Sequence, residues 1–206
     1  MFGSVPPVTR ALILANVAVF GLQYLLGERF VIAFALWPLG SASVLGPESG
    51  AGFGLWQLVP YAFLHGSPLH LFFNMFALYM FGGEIERAFG PRRYLQYYFV
   101  AVIVAALTQL AVSGIAAAAP YPTVGASGGV FGLLLAFGML YPRRMIMLIF
   151  PPVPLPAWLF VTLYGALELY LGVTGTSQGV AHFAHLGGML GGYLMLRHWR
   201  GGAWRG

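Results

Sequence analysis

Cysteine is absent from the 206 residues, and so is aspartate. The first absence excludes disulfides, thiol nucleophiles and thiolate-held metals. The second leaves five acids in the chain, all glutamates: Glu28, Glu48, Glu84, Glu86 and Glu168. Charge of either sign is scarce. Only 7% of residues are charged against 59% hydrophobic, and mean hydropathy is +0.81. Too few polar side chains remain to cover a water-facing surface. The expected fold is therefore an all-α polytopic membrane protein, one domain over residues 1–206. A net charge of +5 could suit nucleic acid, but the arginines form no single patch. They fall between apolar runs, as topology signals do, so the expected partner is the lipid bilayer and not nucleic acid.

The apolar runs predict six transmembrane helices at 8–26, 69–87, 93–113, 127–142, 157–172 and 181–197. Pro151, Pro152, Pro154 and Pro156 break the approach to the fifth, whose helix should begin near Ala157. Between the first two spans, residues 30–67 are too apolar for a solvated loop and too broken for a span. This long first loop is expected to lie partly in the outer interface, with Trp37 and Trp56 as anchors. Placing both termini and the 2–3 and 4–5 loops on one side gathers every arginine there except Arg29. The positive-inside rule makes that side cytoplasmic. Residues 1–10 carry no basic region ahead of a cleavage site, which predicts no removable signal peptide.

Depth turns this layout into chemistry. At a helical rise of about 1.5 Å per residue, Ser127 lies roughly 24 Å above Arg143. His185 lies roughly 18 Å above Arg197, and Asn74 roughly 18 Å above Glu86. In a hydrocarbon core about 30 Å thick, a hydroxyl, an imidazole and a carboxamide thus share one level below the outer surface. Polar groups at such depth mark function or a cavity. Ser127 needs a base within hydrogen-bond reach to become a nucleophile. His185 is the candidate, because Gly188 and Gly192 follow on its face and match Gly128 and Gly132 beside Ser127, which permits close helix approach. His70 and Asn74, four residues apart on one helix face, are candidate oxyanion donors, with the Ser127 backbone N–H as a third. Glu168 lies near the outer end of the fifth span, either in the interface or facing the cavity. The favoured arrangement is a Ser127–His185 dyad.

At these residues the sequence resembles the rhomboid intramembrane serine proteases. The resemblance rests on the six-span layout, the long first loop, His70-Leu-Phe-Phe-Asn74, Gly125-Ala126-Ser127-Gly128, and Ala184-His185-Leu-Gly-Gly188 with Gly192. It implies a rhomboid-like bundle in a prokaryotic plasma membrane. Ser127 would be the nucleophile, His185 the general base, and His70 with Asn74 part of the oxyanion hole, with no cofactor and no metal. Gly125 and Gly128 would support the site, and Glu86 would pair structurally near the cytoplasmic face. Substrates would be single-span transmembrane proteins cut near the outer surface. Two departures from the family pattern stand out. Trp56-Gln57 replaces Trp-Arg in the first loop, and Phe131 replaces the tyrosine expected to stack on the histidine.

Each signal has a plainer reading. Ser127 could be a helix N-cap, and Asn74 interhelical glue. His182, three residues from His185, competes as the base, and His65 reads as a structural residue of the first loop. A metalloprotease using His65, His70, His182 and His185 lacks the His-Glu-x-x-His spacing. A transporter would show an inverted repeat and more intramembrane charge. The rival of another kind is an inactive rhomboid-like protein that binds transmembrane helices. The proline-broken fifth span is a candidate gate.

Overall fold

The computed structural model describes residues 4–113, 120–148, 151–175 and 181–202. Helices dominate. Pro7, whose missing N–H costs nothing in a first turn, starts α1 (Pro7–Leu26), and Gly27 at φ +72° ends it. Two short helices follow in the first loop, α2 (Glu28–Phe34) and α3 (Ser41–Leu45), together with single 3₁₀ turns at Leu55–Leu58 and Pro60–Phe63. Ser67 then caps α4 (Pro68–Ala77) by accepting the His70 N–H at 3.1 Å. A π-helical stretch, Leu78–Gly82, carries the same rod into α5 (Gly83–Phe89). The remaining helices are α6 (Pro91–Ser113), α7 (Ser127–Leu140), α8 (Ala157–Thr174) and α9 (His182–Gly202).

Burial orders these helices into a centre and a rim. Ten of the 14 residues of α7 are buried, so it is enclosed on nearly all sides, chiefly by α6 and α9. By contrast, α1 buries Thr9, Leu12 and Asn16 alone, and α8 buries Ala157, Val161 and Glu168. Their outer faces present Leu14, Val17, Leu25, Trp158, Leu163 and Tyr170 uncovered. So much contiguous apolar surface suits lipid as the surrounding solvent. Among the described residues, three helices, α1, α6 and α8, are long and apolar enough to cross a membrane, and α7 is shorter.

Three features differ from expectation. The all-α fold class needs one amendment, a two-stranded antiparallel hairpin of β1 (Met145–Met147) and β2 (Pro154–Pro156), with Ile146 opposite Leu155. Prolines that cannot donate to a helix or a central strand are tolerated in a two-stranded ribbon, where every strand is an edge. Trp37 is not an exposed anchor. It is buried and donates its indole N–H to the Ile32 carbonyl at 2.9 Å, while Trp56 is exposed as expected. The basic tail is helical as far as Gly202, where α9 ends, and Trp199 packs against Phe89 and Tyr97. Residues 114–119, between α6 and the approach to Ser127, lie outside the described residues.

Glu86 ties the bundle together at the end opposite Ser67. Its buried carboxylate accepts from the Val8 N–H (3.0 Å), the Thr9 N–H (2.7 Å) and the Thr9 hydroxyl (2.8 Å). These amides belong to the first turn of α1, which has no intrahelical partners for them. An acid of α5 thus caps α1 and favours its positive dipole end. Glu86→Ala would strand both amides and leave the Thr9 hydroxyl only the Tyr94 oxygen, 3.2 Å away. It should lower unfolding free energy in mixed micelles by about 2–4 kcal/mol, whereas an unchanged transition midpoint would remove the tie from the account.

Candidate active site

The chain descends to Ser127 in an extended conformation held by the first loop. Leu36 and Thr123 exchange backbone hydrogen bonds of 3.0 and 2.9 Å, and the Gly125 N–H donates to the Tyr61 carbonyl at 3.0 Å. The loop is itself braced from within. The buried Gln57 accepts the Trp37 N–H at 3.2 Å and donates to the Gly52 carbonyl at 2.8 Å. Where the family pattern has arginine, this chain therefore uses a neutral amide whose donor and acceptor are both engaged. Gly125 adopts φ +128°, and a Cβ there would stand 2.8 Å from the His70 ring. Only glycine combines that backbone angle with that closeness.

Ser127 is the first residue of α7, and Ala126 is the cap position. Its hydroxyl does not cap the helix; Oγ lies 2.8 Å from Nε2 of His185. The first-turn N–H groups of α7 therefore point toward the same space as the hydroxyl without intrahelical acceptors. The α7 and α9 backbones nearly touch here. A Cβ on Gly188 would overlap the Gly128 carbonyl oxygen, and one on Gly132 would stand 3.1 Å from the Gly188 carbonyl oxygen. Gly192 leaves room for the Tyr97 hydroxyl, which donates to the Gly132 carbonyl at 2.7 Å. Phe131 stacks flat on the His185 ring, with centroids 4.2 Å apart and planes 6° apart. The stacked ring fixes the plane of the imidazole without a hydroxyl.

Behind His185 stands Glu168. Its Oε2 is 2.8 Å from His185 Nδ1 and 2.7 Å from His182 Nδ1, and its side chain is buried. The open choice between interface and cavity is thus decided in favour of the interior. His182 faces the carboxylate and makes no contact with Ser127 among the hydrogen bonds of the described residues. The three side chains offer potential metal-ligand atoms within 4.8 Å of one another. Their 2.7 and 2.8 Å separations are also the lengths of charge-assisted hydrogen bonds.

His70 and Asn74 approach from α4. The Gly66 N–H points at His70 Nδ1 (3.4 Å), which leaves Nε2 facing the space beside Gly125 and Ser127. Asn74 spends one N–H on the His70 carbonyl at 3.0 Å. His65 is buried with its ring edge-on to His70, centroids 5.1 Å apart, and Gln23 grips its backbone N–H and carbonyl. Burial, and then the neighbouring His70, hold the His65 imidazole down at about 4, so it stays uncharged beside the site. Ser127, His185, His70, Asn74 and Phe131 all line one cleft of about 630 Å³ between α4 and α8.

A helical membrane bundle with a hydroxyl and an imidazole paired in a buried cleft defines the class. The family follows from comparison: residues 52–199 match the Rhomboid domain model. The chain belongs to the rhomboid family. It is 28% identical over 193 residues to rhomboid protease GlpG of Yersinia pestis, covering 92% of this chain and 61% of that protein. Over 141 residues it is 29% identical to rhomboid protease GluP of Bacillus subtilis, covering 68% of this chain and 25% of the relative. Rhomboid protein 1, mitochondrial, of Saccharomyces cerevisiae is 29% identical over 217 aligned residues, 94% of this chain and 56% of that one. This chain therefore spans between a quarter and about three fifths of the length of these relatives.

The α7–α9 approach makes a discriminating prediction. Gly188→Ala drives a methyl into the Gly128 carbonyl and should cost about 1–3 kcal/mol of unfolding free energy. Gly165→Ala on α8 meets only the flexible Met189 side chain, at 3.4 Å, and should be neutral or slightly stabilising. Equal effects of the two in a denaturation series would contradict the packing described.

Proposed function

We propose that the chain is an intramembrane serine endopeptidase that hydrolyses peptide bonds of single-span transmembrane proteins near the outer membrane face. The observation that carries this reading is the 2.8 Å contact between Ser127 Oγ and His185 Nε2 at the bottom of an apolar cleft. The reading includes one domain over residues 1–206, six spans, and both termini in the cytoplasm of a prokaryotic cell.

In this mechanism His185 Nε2 takes the Ser127 proton as Oγ attacks the scissile carbonyl carbon. The oxyanion accepts hydrogen bonds from His70 Nε2–H, the remaining Asn74 N–H and the Ser127 backbone N–H. The protonated His185 then gives its proton to the leaving amine. Water, deprotonated by the same ring, hydrolyses the acyl-enzyme and restores Ser127. Gly125 keeps His70 close, Phe131 orients the base, and Gly128, Gly188 and Gly192 set the distance between the two catalytic helices.

The test is cleavage of a model single-span substrate in proteoliposomes, with and without a chelator. Ser127→Ala and His185→Ala should each abolish cleavage, and His70→Ala or Asn74→Ala should lower kcat about 10²–10³-fold. Activity that survives Ser127→Ala but not the chelator would replace the serine mechanism with a metal site at Glu168, His182 and His185. Intact protein inert toward every substrate would favour the helix-binding reading.

Substrate would reach the cleft between α4 and α8, past Phe73 and Phe160. The few buried residues of α8 support its role as the gate. A cross-link joining Phe73→Cys to Phe160→Cys should then stop cleavage of a transmembrane substrate while leaving the background Ser127→Ala null unchanged. Full cleavage by the cross-linked protein would sink the gate.

A further inference from the structure

We infer that Glu168 completes a Ser127–His185–Glu168 triad, acting as a positioning residue that selects the productive tautomer of His185 and steadies its protonated form. The inference rests on the serine-protease reading, for which Ser127 and His185 alone would suffice. Glu168 supplies what a dyad lacks.

The chain of contacts is linear across one ring. Ser127 Oγ lies 2.8 Å from Nε2, and Glu168 Oε2 lies 2.8 Å from Nδ1. An ionised carboxylate can only accept, and neutral imidazole carries a single N–H. The proton must therefore sit on Nδ1, which leaves the Nε2 lone pair for the serine hydroxyl. That is the tautomer general-base catalysis requires. When Ser127 Oγ attacks, its proton forms a second N–H at Nε2, and the resulting positive ring lies against the Glu168 carboxylate. The carboxylate keeps its charge, and no proton moves onto it.

Burial shows that this is a built arrangement. Glu168 is 4% exposed, one of three buried residues on α8. A carboxylate at that depth is costly unless hydrogen-bonded. The second hydrogen bond to the same oxygen comes from His182 Nδ1 at 2.7 Å. The His182 ring stands at 87° to the His185 ring, so it anchors the carboxylate without competing for Ser127. His182 thus holds the acid that holds the base. Since Glu168 belongs to α8, the third member reaches the site with the helix that walls one side of the cleft.

The experiment uses the purified full chain with a model single-span substrate, a fluorophosphonate probe and ¹⁵N-histidine labelling. Glu168→Gln should lower kcat about 10²–10⁴-fold while KM stays within about twofold, since a carboxamide cannot enforce the tautomer. Glu168→Asp should recover part of that loss. The wild-type proton spectrum should hold a far-downfield imidazole N–H signal that vanishes in both Glu168→Gln and His185→Ala. Glu168→Gln with unimpaired kcat would overturn the triad and leave the protease reading intact. If Glu168→Gln does not fold, the wild-type spectrum decides. A downfield signal lost in His185→Ala supports the triad, and its absence overturns it. Wild type that neither cleaves nor reacts with the fluorophosphonate would overturn both readings together.

Discussion

The closeness of two helix backbones governs this molecule. Ser127 begins α7, and His185 stands one turn before Gly188 on α9. Their side chains can meet at 2.8 Å only because neither Gly128 nor Gly188 carries a Cβ at the crossing. In lipid there is little hydrophobic drive to press helices together, so contact area between small residues has to do that work. Enclosure of α7 by its neighbours follows, and so does the depth at which its N-terminus opens.

That opening creates a debt in hydrogen bonds. Backbone that is not helical survives in a membrane only where protein satisfies it. The first loop answers this need with the Leu36–Thr123 pairing and the Tyr61 carbonyl under Gly125. Its own rigidity comes from Gln57. The loop is thus an extension of the site, since it fixes the path by which the chain reaches Ser127. At the other end of the bundle Glu86 does a comparable service for α1.

Much of this could be read from residue order alone. Helix starts at Ala157 and Ser127 follow from proline and glycine placement, and the two glycine stripes follow from i, i+4 spacing. Three things could not be read. Prolines exclude a helix at 151–156 but do not announce a two-stranded ribbon, because its partner Met145–Met147 lies in an apolar run with no strand-specific alternation. Trp37 is amphipathic by type, and only the folded loop decides that its indole turns inward. Glu168 is ambiguous in the sequence because helix rotation is invisible when all faces are apolar. Depth along the helix is the signal that bears on it: Glu168 lies roughly 16 Å above Ala157 by helical rise, close to the level of His185.

Why a membrane chain with so few acids keeps one at this depth is a question of compensation. A lone buried carboxylate would take up a proton or draw in water. Here two imidazoles converge on one oxygen, at 2.7 and 2.8 Å. Each ring, where neutral, can spare one N–H, so two donors can hold the carboxylate without any formal counter-charge. Adding a permanent cation would stabilise the acid further and would also oppose the positive charge that His185 would acquire in the proposed reaction. Neutral donors avoid that conflict. In the proposed mechanism they would leave the full attraction of the carboxylate to be realised when the ring becomes charged, which is where catalysis would gain from it.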